Sequence, residues 1–295
     1  MIDGFLLVDK PNGWTSHDVV GKLRGLLGQK RIGHAGTLDP MATGLLVLGL
    51  GRATRLIRFV QAGVKVYEAT ALFGVATDTL DADGAILSRD EMEVDEADVR
   101  RAAKRFVGRI MQVPPRVSAK KIDGRRLYEM ARQGIEVERE AVPVDIHDIE
   151  VLDVSPGPYP EVELRVRCGA GTYIRTLADD IAAALGGRGH LTALRRLAVG
   201  SLAVEDAHTV EALEAAASGE TIARLVMAPA DGLRDLPAVS VGDEIGRAVG
   251  HGSVFPASAL GIEASGAHRV LDESGRLLAV YGSDGRRAAP EVVLA

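Results

Sequence analysis

The residues best suited to chemistry lie in a glycine-rich segment, 31–45, whose single carboxylate, Asp39, stands directly before a proline. A lone carboxylate acting without a metal or cofactor suits attack at a glycosidic carbon, where oxocarbenium-like charge develops. Pro40 holds the residue before it in extended backbone and is suited to open a helix, so the sequence predicts Asp39 at a loop-to-helix junction. An aspartate at such a junction is also an ordinary helix N-cap, and the segment alone leaves both roles open.

The sequence has few motifs that would indicate a metal site or a nucleotide cofactor. The seven histidines show no HExxH or closely paired spacing, and the chain has no GxxxxGK[ST] loop. The segment 79–84 resembles a calcium loop, but a threonine replaces its first acid, and we interpret it as a polar turn. The one cysteine, Cys168, lies in an alternating strand pattern and is interpreted as a buried structural thiol. We therefore predict no metal site and no cofactor.

Charge is distributed unevenly along the chain. The net charge is −6, yet residues 100–132 hold eleven basic and only two acidic residues, and smaller basic clusters lie at 22–31 and 52–58. A basic run is most often a solvated surface, but several basic patches on an acidic protein also fit a groove for a polyanion. The pattern alone leaves both interpretations open.

The elements that position these residues follow from hydrophobic periodicity. Strands and helices interleave without a regular βαβ period or an internal repeat, which favours an α+β fold on a mixed sheet. Strands are predicted at 4–9, 45–51, 65–73, 149–154 and 161–167. Helices are predicted at 16–27 with Ser16 as N-cap, and at 52–60, 95–106, 128–133 and 173–185.

Length and composition indicate a globular protein with two units. The chain has 295 residues, of which 46% are hydrophobic. No apolar run approaches the roughly 20 residues that span a bilayer, and the N-terminus lacks the pattern of a signal peptide, so we expect a cytoplasmic protein without membrane contact. A linker-like segment, 228–232, predicts a boundary between a unit at 1–230 and a small β-rich unit at 231–295, which carries six basic and nine acidic residues.

Five blocks of residues together resemble one known family, the bacterial tRNA pseudouridine-55 synthases of the TruB type. The blocks are 7–11 with Gly13, Thr15 and Ser16; 31–45; 65–68 with Gly74, Thr77, Asp78 and Gly84; 114–138; and 171–177 with 195–197. Their order and spacing match over about residues 4–229. The resemblance implies a mixed-sheet pseudouridine synthase catalytic domain, with a basic, thumb-like insertion at about 100–140 and a small C-terminal PUA-like domain.

The resemblance also implies an activity and its catalytic residues. The family isomerises a uridine in the T-arm of tRNA to pseudouridine by base flipping, without a cofactor. Asp39 would attack the sugar C1′ of the target nucleotide. Arg175 would pair with Asp39 and favour its ionised form against desolvation. Tyr67 would stack on the flipped base and stand near the C5 proton.

Further residues would hold the RNA if the resemblance is carried over position by position. His34 would enter the space that the flipped base leaves in the tRNA loop, and Tyr173 and Leu197 would line the pocket. Phosphate contacts are expected at positions in the basic regions, namely Lys10, Lys120, Lys121, Arg125 and Arg126. The partner is then the T-arm stem-loop of tRNA, and we expect a monomer.

Two other functions remain open beside a stand-alone tRNA uridine isomerase. A tRNA-binding or tRNA-folding chaperone would use the same basic surface, with catalysis secondary. A guide-RNA-dependent pseudouridine synthase would share the Asp39 segment. Asp39, Tyr67 and Arg175 favour an enzyme, because a binding protein has no need of a buried carboxylate. The basic insertion favours direct recognition of tRNA.

Overall fold

A mixed β-sheet forms the centre of the molecule. The computed structural model describes residues 2–116, 139–216 and 220–294, together with the backbone of two short paired strands, β8 (Lys121–Ile122) and β9 (Arg125–Arg126). The strands of the sheet, in spatial order, are β14 (His208–Thr209), β1 (Gly4–Lys10), β3 (Thr43–Leu50), β12 (Gly189–Val199), β4 (Lys65–Phe73), β11 (Glu161–Cys168), β10 (Val142–Ser155) and β7 (Gly108–Gln112). At its margins β2 (Ile32–His34) pairs with β3, and β13 (Leu202–Ala203) pairs with β12.

Helices connect these strands and cover the sheet. Those that the structure describes are α1 (Ser16–Leu27), α2 (Ile57–Ala62), α3 (Glu96–Lys104), α4 (Ile174–Ala184), α5 (Val210–Ala216), α6 (Glu220–Ala223) and α7 (Asp243–Gly250). A 3-10 turn, Gly51–Leu56, leads into α2, and a separate hairpin joins β5 (Val75–Thr77) to β6 (Ile86–Arg89). Two parallel pairs, β1 with β14 and β3 with β12, make the otherwise antiparallel sheet mixed. The predicted α+β fold on a mixed sheet is confirmed.

The larger core lies where α1, α3 and α4 pack on the sheet. Val20 and Leu23 of α1, Val99 of α3 and Leu177 and Ile181 of α4 belong to one buried cluster with the inward residues of the strands. Burial of apolar surface of this kind contributes about 25 cal/mol per Å². The same packing fixes the position of the first turn of α4, which carries Arg175.

The C-terminal unit is β-rich, as predicted. Its five strands, in spatial order, are β15 (Ala238–Ser240), β17 (Gly266–Leu271), β18 (Leu277–Ser283), β19 (Arg287–Val293) and β16 (Phe255–Pro256). The segment before it is not a linker. Leu233 is buried, and a β-carbon at Gly232 would come within 2.0 Å of the Phe5 ring. The sequence interpretation of 228–232 as a linker was wrong, since its small residues serve close packing.

Three arginines of the basic cluster at 52–58 bind the end of the C-terminal unit. Arg52 donates to the carbonyl oxygen of Leu294, and Arg55 donates to that of Val293 at 2.7 Å. Arg58 pairs with the Glu291 carboxylate, also at 2.7 Å. These guanidinium groups therefore attach the last strand to the larger, N-terminal unit.

Two local predictions near the Asp39 segment are wrong. The N-cap of α1 is Thr15, whose side chain accepts from the Asp18 N–H while the Asp18 carboxylate accepts from the Thr15 N–H, and not Ser16. Pro40 opens a turn instead of a helix: Asp39 accepts through its carbonyl from the Ala42 N–H at 3.1 Å, and the chain enters β3 at once. Asp39 is therefore held at a turn-to-strand junction and does not cap a helix.

Candidate active site

An ion-paired chain of three side chains forms the centre of the site. The Arg175 Nε lies 3.0 Å from Asp39 Oδ2, and its Nη1 lies 3.0 Å from Asp81 Oδ2. Arg175 and Asp81 are buried, whereas the Asp39 side chain is 35% exposed. The Arg175 guanidinium thus pairs with two carboxylates: that of Asp39, which a substrate can reach, and that of Asp81, which is buried. The pairing of Asp39 with Arg175 follows the sequence expectation.

Asp81 escaped the sequence interpretation, which placed it in a polar turn. That turn follows β5, and its own hydrogen bonds orient the carboxylate. Asp81 Oδ1 accepts from the Thr79 hydroxyl at 2.5 Å, and the Asp81 carbonyl accepts from the Thr77 hydroxyl at 2.8 Å. The Thr79 carbonyl accepts a further hydrogen bond from Arg175 Nη1 at 2.9 Å. The turn therefore serves to hold Arg175. An acid in a segment that resembled a calcium loop was the only available signal.

Burial and neighbouring charges act in opposite directions on the pKa of the Asp39 carboxyl. Desolvation raises the pKa of the Asp39 carboxyl above its ordinary value, and the Asp81 charge raises it further. Arg175, by its charge and its hydrogen bond, and Lys10, by its charge, lower this pKa, but the net direction is upward. Arg175 therefore limits the effect of desolvation without reversing it. An ionised carboxylate in this setting is poorly solvated and is correspondingly reactive as a nucleophile.

Asp39 opens onto a cavity of about 260 Å³. Its walls come from the Asp39 segment, from β4 and β12, and from the loop that precedes α4. The lining residues that bear on the chemistry are Asp39, Lys65, Tyr67, Tyr173, Arg175 and Arg196. The cavity thus brings Asp39, Tyr67, Tyr173 and Arg175 together, although up to 136 positions separate them in the sequence.

Tyr67 lies on β4, where β12 places Arg196 directly beside it in the register. Burial raises the pKa of the Tyr67 hydroxyl, and Arg196 opposes that shift by its charge and a hydrogen bond. The phenol is therefore neutral over the physiological pH range. A neutral ring in the wall of the cavity is suited to stack on a planar ligand.

Arg196 is a buried charged residue of the cavity wall to which the sequence assigned no role. Its side chain is 1% exposed, yet it lines the cavity. Nε donates to the Leu45 carbonyl at 2.7 Å, and Nη2 donates to the Gly36 carbonyl at 3.2 Å. Gly44 permits the close approach of the two strands, because its φ is +95° and a β-carbon there would lie 2.3 Å from the Arg196 carbonyl oxygen.

Lys10 does not fit the predicted phosphate contact. Its side chain is fully buried, and Nζ donates to the carbonyl oxygens of Pro11, Trp14 and Pro40 at 2.9, 2.6 and 3.2 Å. All three N–H donors are used within the protein. Burial lowers the Lys10 pKa to about 8, with the Asp39 charge opposing. The residue therefore secures the turn that carries Asp39.

Gln112, at the end of β7, fixes the entry to α4. Its fully buried side-chain amide donates to the Tyr173 carbonyl at 3.2 Å and accepts from the Tyr173 N–H at 3.0 Å. Thr176 adds a hydrogen bond from its hydroxyl to the Val113 carbonyl at 3.3 Å. These bonds hold the backbone on both sides of Arg175. No pattern in the sequence indicated this role.

The remaining predicted site residues divide into three groups. Leu197 does not line the cavity but packs against the core cluster that contains Leu45. Leu194 and Arg196, which are two positions apart and face the same side of β12, line the cavity instead. His34 ends β2, half-buried, with its ring edge-on to that of His17 at 6.1 Å, outside the cavity lining. Lys120 and the side chains of Lys121, Arg125 and Arg126 lie outside the described residues.

Cys168 is buried, and burial raises the pKa of its thiol to about 11, so a structural thiol is confirmed. Within the described parts of the chain, no group of three or more His, Cys, Asp or Glu side chains is placed to hold a metal ion. In the same parts, no helix has the length and apolarity to cross a membrane.

Comparison with known proteins identifies two matching family models. "TruB family pseudouridylate synthase (N terminal domain)" matches residues 24–174, and "tRNA pseudouridylate synthase B C-terminal domain" matches residues 175–233. Among curated proteins, "tRNA pseudouridine synthase B" of Thermobifida fusca is 51% identical over 73% of this chain and 75% of its own. The protein of the same name from Burkholderia mallei (strain NCTC 10247) is 44% identical over 98% of this chain and 96% of its own.

Solved structures agree on the fold. A chain from the structure described as "Crystal structure of the archaeal box H/ACA sRNP Nop10-Cbf5 complex" superposes with a TM-score of 0.76, covering 99% of this chain and 86% of its own at 24% identity. At that identity the likeness concerns the architecture alone.

Proposed function

Because this chain belongs to the TruB family of pseudouridylate synthases, we propose that it isomerises uridine-55 in the T-arm of tRNA to pseudouridine, with Asp39 as nucleophile. The Burkholderia mallei relative, which is named tRNA pseudouridine synthase B, matches 98% of this chain. The observation that carries the proposal is the Asp39–Arg175 pair at 3.0 Å on the wall of a cavity that also contains Tyr67.

The cavity is suited to one extruded nucleotide. Its volume of about 260 Å³ lies just below the roughly 300 Å³ at which pockets for drug-sized ligands begin. An extruded base loses stacking worth a few kcal/mol, and the neutral Tyr67 ring restores part of that energy. The raised pKa of Tyr67 favours this stacking role over that of an anionic base.

The reaction then follows from the chemistry of a carboxylate at C1′. Asp39 attacks C1′, and the C1′–N1 bond breaks with its electron pair going to N1 of uracil. The ring rotates, and C5 forms the new bond to C1′ as Asp39 leaves. C5 loses its proton and N1 gains one, so the product is an isomer of the substrate. No cofactor enters this balance.

RNA binding is proposed for the basic insertion at about 100–140, including Lys120, Lys121, Arg125 and Arg126, with His34 entering the tRNA loop. Tyr173 is proposed to contact the flipped nucleotide. The C-terminal unit takes the place of a PUA-like domain, and the chain acts as a monomer. Each phosphate neutralised on a duplex should add roughly 0.9 to the slope of log affinity against log salt.

The alternatives make different demands on Asp39. A tRNA chaperone needs the basic surface, but it gains nothing from a buried arginine held between two carboxylates. A guide-RNA-dependent enzyme would need a second RNA before it modified tRNA. Activity on tRNA alone therefore separates all three functions.

The test is incubation of the purified chain with an unmodified tRNA transcript, followed by mapping of pseudouridine through chemical labelling and mass spectrometry. We expect one modified position, in the T-loop. Asp39→Asn should abolish product while tRNA affinity changes less than about twofold, because the amide is nearly isosteric and lacks nucleophilicity. Asp83→Asn, in an exposed position, is the matched control and should be fully active. Full activity of Asp39→Asn would refute the mechanism.

A further inference from the structure

Among the described residues, two buried cations of the cavity have no carboxylate partner. Arg175 lies between Asp39 and Asp81. In the part of the chain that the structure describes, by contrast, no ion pair includes Arg196 or Lys65. Arg196 is 1% exposed and Lys65 is 5% exposed, and both line the cavity. Their charge is therefore held away from water and faces the ligand space.

Burial of two cations without an anionic partner is costly. A buried cation loses most of its hydration, and a nearby anion ordinarily offsets that loss. Here carbonyl oxygens of Leu45 and Gly36 bind Arg196, and those of Gln61 and Gly63 bind Lys65. Burial and the neighbouring Arg196 charge lower the pKa of Lys65 to about 8. In the described parts of the chain these cations are solvated by neutral dipoles, so a bound anion would gain strongly from them.

We propose that Arg196, assisted by Lys65, stabilises the uracil anion that forms when the C1′–N1 bond breaks. The inference rests on the proposed function and concerns the step at which negative charge appears on the base. The electron pair of the broken bond resides on N1 and is delocalised to O2 and O4. Arg196 holds that charge until C5 attacks C1′ and the proton from C5 is replaced by one on N1.

The position of Arg196 indicates that the anion it binds is the base and not a phosphate. In the register of β4 and β12 it lies beside Tyr67, whose ring stacks on the base in the proposed function. A guanidinium that is 1% exposed at the cavity wall is reached by the group inserted most deeply, which is the extruded ring. Preorganised donors at developing charge typically supply the largest single contribution to catalysis.

The test compares two leaving groups in single-turnover reactions. Fluorine at C5 stabilises the uracil anion, so a T-arm stem-loop with 5-fluorouridine at the target position depends less on Arg196. Arg196→Gln should slow consumption of uridine about 10²-fold and of 5-fluorouridine about 10-fold, with little change in RNA affinity. Arg196→Lys, which keeps the charge, should restore most of the uridine rate. Arg195→Gln is the matched control, because Arg195 is the adjacent residue, pairs with Asp9 and does not line the cavity.

Equal losses on both substrates, or a loss of RNA affinity in place of rate, would overturn the inference; the latter would assign Arg196 to a phosphate. A measurement on the unaltered chain covers the case in which the variants do not fold. With a stem-loop that is abasic at the target, the barbiturate anion should bind more tightly than neutral uracil, and equal binding would refute the proposal. An inactive unaltered chain would instead contradict the proposed function itself.

Discussion

Replacement of Asp81 by asparagine separates the two carboxylates that share Arg175. The substitution keeps an oxygen that can accept from Arg175 Nη1, now 3.0 Å from Asp81 Oδ2. It removes the negative charge, so Arg175 retains Asp39 as its one anionic partner in the chain of three. The Thr79 carbonyl, at 2.9 Å, continues to accept from the guanidinium.

The cost in stability follows from these contacts. Breaking a buried ion pair outright typically costs 3–5 kcal/mol. Here the guanidinium stays charged and still donates to the amide oxygen, so the hydrogen bond persists and only the attraction between the two opposite charges is lost. We expect a cost of about 1–2 kcal/mol, below that range, which lowers Tm by roughly 2–8 °C in a chain of this size class.

Asp81→Asn should also change the pH dependence of the reaction rate. In the proposed mechanism Asp39 must be ionised to attack, so the acid limb of the rate profile follows its pKa. The Asp81 charge raises that pKa, and its removal lowers it. The acid limb of Asp81→Asn should therefore shift to lower pH. The plateau rate should fall by up to about 10²-fold, because Arg175 is held less firmly against Asp39.

Single-turnover pseudouridine formation from pH 4.5 to 8, together with thermal unfolding, measures both effects. Asp83→Asn, in the same turn but exposed, should change neither the limb nor Tm. An acid limb that stays in place or moves to higher pH in Asp81→Asn would refute the electrostatic coupling of Asp81 to Asp39.

Two further predictions concern buried polar groups. Gln112→Met leaves the Tyr173 N–H and carbonyl without their partners; it should lower the free energy of unfolding in urea by about 2 kcal/mol and slow pseudouridine formation. Gln112→Glu keeps the acceptor, so its unfolding free energy should lie between those of Gln112→Met and the unaltered chain. Equal stability of all three proteins would contradict the role of Gln112. The unfolding free energy should rise from about pH 8 to 10, because the folded pKa of Lys10 is about 8 and the unfolded chain still holds that proton. Lys10→Met should show a smaller rise, measured as Tm against pH, and an unchanged slope would refute burial of the charged lysine.

The sequence predicted elements well where one periodicity dominated. The bounds of β4 agree with the alternation at 65–73, and α1 covers the predicted 16–27. β12 was not predicted, because it lies inside the sheet and carries Arg195 and Arg196 within an apolar pattern. Propensity is a weak guide where tertiary pairing decides.

The site was predictable as far as the family resemblance extended. Asp39 and Arg175 meet as expected, but Asp81 and Gln112 escaped, since their partners lie 94 and 61 positions away. Lys10 was misassigned for a related reason. The sequence shows that a lysine is charged but not whether it is buried. Only the fold shows that Lys10 Nζ donates to three carbonyl oxygens.

The packing between the two units also determines how the molecule unfolds. Leu277, Val280 and Val292 of the C-terminal unit share one buried cluster with Leu45 and Val47 of β3. β3 is also the strand that follows the Asp39 turn. The C-terminal unit is thus part of the catalytic unit's own core, and calorimetry should record one cooperative transition for both. Removal of residues 231–295 would expose the apolar side of β3 to water, so the catalytic unit alone would aggregate.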